Sequence, residues 1–155
     1  MTSEENLRDI LLRCRLTMSA AESCTGGLVS AALTSLPGSS AFFKGGIVAY
    51  DNSIKQKLLG VPEEILNSFG AVSSQTVERM ASGVASLINS DCAVSVSGIA
   101  GPGGGSPEKP VGLVYIGSFA FSEVTSCRYV FSGNRHEIRA QAVEAALNQL
   151  ITQLS

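Results

Sequence analysis

An apolar run that ends in a turn of serine, cysteine and glycine constrains the fold of this chain more than any other feature. Residues 16–21 read Leu-Thr-Met-Ser-Ala-Ala, and residues 21–27 read Ala-Glu-Ser-Cys-Thr-Gly-Gly. Apolar residues then recur at a spacing of four, which predicts a helix from Thr25 to Leu36. The segment is therefore a strand–turn–helix unit. Such a turn can expose a nucleophile while backbone N–H groups point at an anion.

The rest of the chain alternates in the same way between β-rich runs and helical patterns. The expected elements are, in order, a helix from Thr2 or Ser3, strand 16–21, helix 25–36, strand 46–50, helix 52–60, a short helical turn at Pro62, a helix capped by Ser73 or Ser74, strand 92–97, strands 111–121 and 125–131, and a helix capped by Asn134. Strands joined through helices run parallel, and a hairpin turn at 122–124 adds one antiparallel strand.

This element order predicts an α/β fold, a three-layer α/β/α sandwich. Its mixed, mostly parallel five-stranded sheet carries one antiparallel strand. The 155 residues are expected to form a single domain, because no linker-like stretch or repeat divides them. Hydrophobic residues make up 45% of the chain, which is enough to build a core.

Composition argues against several classes of protein. The net charge is −2 and the basic residues are scattered, so no nucleic-acid surface is expected. No apolar run reaches the roughly 18 residues of a membrane span, and none resembles a signal peptide. The four cysteines have no CxxC spacing and are typical of reduced, buried thiols, which favours a cytoplasmic location. With one histidine and no cysteine cluster, we expect no metal site and no cofactor.

Three polar or glycine-rich loops follow the three strands that are expected to be parallel. They begin at Glu22, Tyr50 and Ser97. Because ligands bind outside the carboxyl ends of parallel strands, we expect these loops to meet and form a site.

Ser23 and Lys55 are the residues in these loops that suggest hydrolytic chemistry. A serine needs a base, and the single histidine, His136, begins the last helix, where a solvated side chain is more typical. A lysine kept from water has a lowered pKa and forms serine–lysine pairs. Backbone N–H groups at Thr25 to Gly27 would hold the oxyanion, and Tyr50 would steer or relay a proton.

Each of these residues also has a simpler interpretation. The alternative for Ser23 is a helix N-cap, and the alternative for Lys55 is a solvated side chain. Cys24 competes as nucleophile, because a thiol at a helix N-terminus is activated. The alternative for Tyr50 is a ring packed in the core. The loop 98–105 lacks the closing residues of a Walker A motif, so it either cradles a phosphate through backbone N–H groups or is simply mobile.

Four strings of the sequence resemble the CinA C-terminal domain family. They are AESCTGG (21–27), AYDNSIKQKLLGV (49–61), GAVSSQTVERMA (70–81) and SVSGIAGPGGGSPEKPVG (95–112). The order and spacing match over nearly the whole chain. Enzymatic members of this family are nicotinamide-nucleotide amidases. The resemblance therefore implies an α/β/α sandwich that hydrolyses the carboxamide of nicotinamide mononucleotide to nicotinic acid mononucleotide and ammonia.

The resemblance also implies roles for individual residues. Ser23 and Lys55 match the catalytic pair of a serine amidohydrolase, and Tyr50 and Asn52 match the same string as the lysine. The expected substrate-binding residues are Cys24, Thr25, Gly26, Gly27, Asn52, Ser97, Gly98, Gly101, Gly103, Gly104 and Arg139. Arg139 would reach the phosphate, and Gly103 replaces an acidic residue of some members. The expected partner is a small nucleotide substrate, and a homodimer is plausible. The alternative is a non-catalytic nucleotide-binding or interaction module linked to competence or DNA damage.

Overall fold

The computed structural model describes all residues 1–155. Its helices and strands are, in chain order, α1 (Ser3–Cys14), β1 (Met18–Glu22), α2 (Leu28–Thr34), β2 (Phe43–Val48), α3 (Asn52–Leu59), α4 (Glu63–Phe69), α5 (Ser74–Ile88), β3 (Cys92–Gly98), β4 (Leu113–Ala120), β5 (Glu123–Val130) and α6 (Arg135–Leu154). A single 3-10 turn, Ser39–Ala41, precedes β2.

The five strands form one mixed sheet in the order β2-β1-β3-β4-β5. β1 pairs in parallel with both β2 and β3, whereas β4 runs antiparallel to both β3 and β5. The prediction of a mostly parallel sheet with one antiparallel strand is confirmed. Because β1, β2 and β3 point the same way, their carboxyl ends lie at one edge of the sheet.

A hydrophobic core lies on each face of the sheet, as the three-layer prediction requires. One core packs α1, α2 and α6 against the sheet and includes Leu11, Leu33 and Leu147. The other packs α3, α4 and α5 on the opposite face and includes Leu59 and Met80. Alternation along β1 sends Met18, Ala20 and Glu22 to the first face, which leaves Ser23 on the second face with α3.

Helix capping follows the sequence closely. Thr2 and Asn134 each form a capping box, with Glu5 and Glu137 respectively, and Ser73 caps α5. The side chain in each case accepts a backbone N–H that the first helical turn leaves unpaired. These predicted helix starts are confirmed.

Three predicted boundaries differ most from the structure. α2 begins at Leu28 rather than Thr25, because Gly26 and Gly27 adopt positive φ angles that no helix contains. β2 spans 43–48 rather than 46–50; it is an edge strand, so the apolar run alone did not mark it. The hairpin turns at Phe121 and Ser122 rather than 122–124, and both residues have positive φ without the glycine or asparagine that usually signals such a turn.

A close approach between two helices fixes the position of α3. A Cβ on Gly83 of α5 would overlap the carbonyl group of Leu59, the last residue of α3. Only glycine permits so close an approach of α5 to the end of α3.

None of the helices combines the length and the apolar character that crossing a lipid bilayer requires.

Candidate active site

Ser23 and Lys55 are in direct contact at the carboxyl edge of the sheet. Lys55 Nζ lies 3.1 Å from Ser23 Oγ, and it also donates to the carbonyl oxygen of Tyr50 at 3.0 Å. Ser23 directly follows β1, and its N–H donates to the Val96 carbonyl on β3, so the sheet holds its backbone. Lys55 lies in the first half of α3, whose N-terminus Asp51 caps. Two regular elements therefore bring together residues that lie 32 positions apart in the chain.

Lys55 is a buried amine without an ion-pair partner. The residue is 1% exposed, and burial lowers its pKa from the ordinary value of 10.5. The Asp51 carboxylate, one helical turn away, opposes this shift only in part. Loss of hydration disfavours the ammonium form, so a larger fraction of this amine than of a solvated lysine is neutral, and able to accept a proton, at the same pH.

The turn after Ser23 presents free backbone donors. Gly26 donates its N–H to the Ser23 carbonyl, and Leu28 donates to the Thr25 carbonyl, but the N–H groups of Thr25 and Gly27 donate to no backbone carbonyl. Gly26 and Gly27 have φ angles of 56° and 106°, which side-chain-bearing residues rarely adopt. In the predicted 25–27 stretch the N–H groups of Thr25 and Gly27 are therefore unpaired, while that of Gly26 is already used within the turn. Gly27 is partly exposed, whereas Thr25 is buried beneath the turn.

The Glu22 side chain stabilises the start of α2. Its buried carboxylate accepts the N–H groups of Val29 and Ser30 and the Ser30 hydroxyl, at 2.7–3.0 Å. It thus accepts hydrogen bonds from N–H groups that an N-cap side chain would normally bond, although it precedes the helix by six residues. Sequence reasoning missed this role. The one sign of this role in the sequence is that a glutamate ends an otherwise apolar strand.

Two arginines of α6 hold the backbone of two site loops. Arg139 Nε donates to the Cys24 carbonyl at 2.9 Å, and its Nη2 donates to the Thr25 carbonyl at 3.1 Å. Arg135, one turn earlier, donates to the carbonyl of Gly101 in the glycine-rich loop at 2.8 Å. Neither arginine forms an ion pair; the one salt bridge in the chain joins Arg8 and Asp9. Arg135 was not among the predicted site residues.

The structure disagrees with most of the simpler interpretations. Ser23 is not a helix N-cap, because Gly27 occupies that position of α2. Lys55 is not solvated, and the Tyr50 ring is not in the core, since Tyr50 is 64% exposed. Cys24 is buried within the first core, and burial raises the pKa of its thiol to about 11. A thiol in that state is protonated near neutral pH and is a poor nucleophile.

The remaining predicted site residues lie at different depths around this pair. Thr25 is fully buried and its hydroxyl has no hydrogen-bond partner. Ser97 is buried on β3 beside Ser23, following the register that pairs Glu22 with Val96. Gly98 ends β3, and Gly101 is held by Arg135. The side chain of Asn52 is exposed at the start of α3, and Gly103 and Gly104 are exposed in the loop.

The site is shallow, with Ser23 in front of Lys55. Ser23 is 9% exposed, whereas Lys55 is almost completely covered. None of the four surface cavities is lined by either residue; one of about 420 Å³ lies instead between β5 and α6. A small molecule would therefore reach the hydroxyl first and would find the amine behind it.

Comparison with known proteins gives one consistent result. The sequence model of the CinA C-terminal domain matches residues 1–154. The chain is 55% identical over 141 residues to a CinA-like protein of Endomicrobium trichonymphae, which covers 91% of this chain and 33% of that protein. It is 52% identical over 147 residues to a putative competence-damage inducible protein of Caldicellulosiruptor bescii, covering 95% of this chain and 36% of that protein. The chain thus spans about a third of the length of these curated relatives.

Solved structures agree with the sequence relatives. The crystal structure of the competence/damage inducible protein CihA from Agrobacterium tumefaciens superposes with a TM-score of 0.94 at 45% identity, covering 99% of this chain and 96% of that one. A CinA superfamily protein from Enterobacter cloacae gives a TM-score of 0.95 at 35% identity, covering 99% and 90%. Sequence and fold together show that this chain belongs to the CinA C-terminal domain family.

Proposed function

We propose that this protein is a serine amidohydrolase that hydrolyses the carboxamide of nicotinamide mononucleotide to nicotinic acid mononucleotide and ammonia. The observation that carries the proposal is the 3.1 Å contact between Ser23 Oγ and the buried Lys55 amine. A serine hydroxyl becomes a nucleophile when an adjacent base accepts its proton, and a desolvated lysine is such a base. The choice of nucleotide rests on the resemblance of the site motifs to the amidases of the family.

The first half of the proposed reaction forms an ester on Ser23. Ser23 Oγ attacks the carboxamide carbon while its proton moves to Lys55 Nζ, and unpaired N–H groups of the following turn, that of Gly27 first, stabilise the oxyanion. When the tetrahedral intermediate collapses, the carbon–nitrogen bond breaks. The proton on Lys55 passes to the departing nitrogen, which leaves as ammonia.

The second half hydrolyses this ester with water. Lys55, neutral again, accepts a proton from a water molecule that attacks the ester carbon. The carbon–oxygen bond to Ser23 then breaks, and Lys55 returns its proton to Ser23 Oγ. The products are the free enzyme and a carboxylic acid, which ionises and gives its proton to the released ammonia, so one water is consumed for each ammonia released.

The experiment is incubation of the protein with nicotinamide mononucleotide, with ammonia as the readout. We expect Ser23→Ala and Lys55→Met each to lower the rate by at least about 10³-fold while thermal melting shows a folded protein. Lys57→Met is the matched control, because Lys57 is an exposed lysine two positions further along α3. It should keep the wild-type rate.

Two results would contradict the proposal. Near-normal ammonia release from Ser23→Ala would show that another group is the nucleophile. No release by the wild-type protein from nicotinamide mononucleotide or from a panel of related pyridine amides would favour the non-catalytic alternative.

A further inference from the structure

The guanidinium group of Arg139 is bonded to the turn that follows Ser23. Its Nε and Nη2 reach two successive carbonyls, those of Cys24 and Thr25, at 2.9 and 3.1 Å. A Cβ on Gly26 would lie 3.2 Å from Nη2, so the arginine packs closely against the turn. The planar fork of arginine matches two neighbouring acceptors, which the single ammonium of a lysine does not.

The direction of these carbonyls determines where the intervening N–H groups point. In a trans peptide the C=O and N–H of one unit are antiparallel. Since the Cys24 carbonyl faces Arg139, the N–H of Thr25 points away from it, and this N–H donates to no backbone carbonyl. The Thr25 carbonyl also faces Arg139, and the following N–H, that of Gly26, is taken by the Ser23 carbonyl.

We infer that Arg139 is a positioning residue, which holds the backbone of the 24–27 turn so that its unpaired N–H groups, including that of the partly exposed Gly27, serve as oxyanion donors for the reaction at Ser23. This inference rests on the proposed function in one respect, that Ser23 is the nucleophile. It assigns to Arg139 a different task from binding the phosphate of a nucleotide. A phosphate contact would act on substrate affinity, whereas an oriented oxyanion donor acts on the transition state.

The test measures Ser23 reactivity and substrate turnover in the same variants. Intact-mass analysis follows the rate at which a small, uncharged fluorophosphonate labels Ser23, since that reaction also develops charge on an oxygen. Ammonia release is measured with nicotinamide mononucleotide and with nicotinamide riboside, which lacks the phosphate. The variants are Arg139→Met and Arg139→Lys, with Arg128→Met on exposed β5 as the matched control.

The expected result is a loss that does not depend on the phosphate. Arg139→Met should slow labelling and lower kcat by about 10²-fold or more, with KM changed by less than about threefold, because an oxyanion donor is misdirected. Arg139→Lys should remain within about tenfold of Arg139→Met, because it keeps the charge but not the fork. Both substrates should be affected equally, and Arg128→Met should match the wild type.

Several outcomes would overturn the inference. A loss confined to KM, seen with the mononucleotide and not the riboside, and largely restored in Arg139→Lys, would assign Arg139 to the phosphate. Wild-type labelling rates in Arg139→Met would show that the turn needs no such support. If Arg139→Met fails to fold, Arg139→Lys decides alone, and wild-type labelling in it would refute the inference.

The two proposals fail in distinguishable ways. If wild-type Ser23 is labelled but no ammonia is released, the substrate is wrong, and slower labelling of the Arg139 variants still supports the positioning role. If wild-type Ser23 is not labelled at all, both the nucleophile assignment and the role of Arg139 are wrong.

Discussion

A single lysine shows how much a residue's chemistry depends on its surroundings. In the sequence Lys55 looks like any other helix lysine, yet its amine is covered by the residue that follows β1 and by the loop at Tyr50. Water normally stabilises the ammonium form, and its exclusion lowers the pKa of this amine. The side chain is therefore suited to accept a proton from Ser23, which a surface lysine near neutral pH is not.

The first prediction concerns the pH dependence of this amine. Only neutral Lys55 accepts the Ser23 proton, so kcat/KM should rise with pH, about tenfold per unit on the acid side. Because the pKa of Lys55 is lowered, the midpoint of the rise should lie below the ordinary lysine value of 10.5. The measurement is ammonia release across a pH series with wild type and Lys57→Met, which should have the same midpoint. A midpoint at or above the ordinary value would mean that Lys55 is not the base.

For single residues, the sequence predicted which residues lie at the site better than it predicted their burial and their pKa values. The motif strings indicated Ser23 and Lys55, and the structure places their side chains in contact. Their catalytic roles stay predictions. The raised pKa of Cys24 and the exposure of Tyr50 were not predictable, because both depend on which parts of the chain cover a side chain. The Ser23 hydroxyl and the Cys24 thiol are adjacent in the sequence, which does not show which of the two is buried in the core.

Regular elements act as rigid supports for the site residues. α3 carries Lys55, α6 carries Arg135 and Arg139, and Ser23 directly follows β1. The position of α3 depends on its packing against α5, where Gly83 lies against the carbonyl of Leu59. The placement of Lys55 opposite Ser23 therefore depends in part on Gly83 of α5, because α3 packs against that glycine.

The second prediction tests this helix packing. Gly83→Ala gains about 1 kcal/mol of helix propensity, but its methyl group would overlap the α3 backbone, which costs about 3 kcal/mol, the upper end of the usual range for overpacking. We expect net destabilisation of about 2 kcal/mol, a drop in Tm of several degrees, and loss of turnover because α3 shifts Lys55. Ser86→Ala, at an exposed position of the same helix, should melt at or slightly above the wild-type temperature. An unchanged or higher Tm for Gly83→Ala would show that the two helices are not held at this distance.

Element type was largely predictable from the sequence because it depends on local patterns. Capping boxes at Thr2 and Asn134 and the glycine after α3 marked helix ends through hydrogen bonds made within one turn. The predicted start of α2 was wrong because Gly26 and Gly27 adopt positive φ angles, so the helix begins only at Leu28. Glu22, six residues before the helix, then accepts N–H groups of its first turn in place of a local cap. That arrangement requires the strand and the helix to be already packed.

Across the whole molecule, the loops at the carboxyl edge are tied to distant elements. Arg135 of α6 holds Gly101 at one end of the glycine-rich loop. Lys109, near the other end, donates to the carbonyl of Phe69 at the end of α4, at 2.6 Å. A turn between Ser106 and Lys109 adds two further hydrogen bonds. The loop is therefore attached to helices on both faces of the sheet.

The third prediction concerns this attachment. Lys109→Met removes the bond to Phe69 and should cost about 1 kcal/mol of local stability, which corresponds to roughly fivefold faster opening of the loop. Hydrogen exchange read by mass spectrometry should show this acceleration in peptides covering 99–112, with no change in α5. Lys57→Met should exchange as wild type does. Equal exchange in Lys109→Met would mean that Arg135 and the 106–109 turn hold the loop without Lys109.

Local sequence patterns are enough to predict the kinds of elements, their order and the side on which the parallel strands end. Apolar periodicity and capping are short-range signals, and the connection rules of α/β proteins convert them into a sheet. Three features of the site follow only from tertiary packing: Arg139 reaches the carbonyls of Cys24 and Thr25, Glu22 orders the start of α2, and Lys55 is buried. These facts depend on contacts between residues far apart in the chain. Such contacts follow from how layers pack and carry no local pattern of their own.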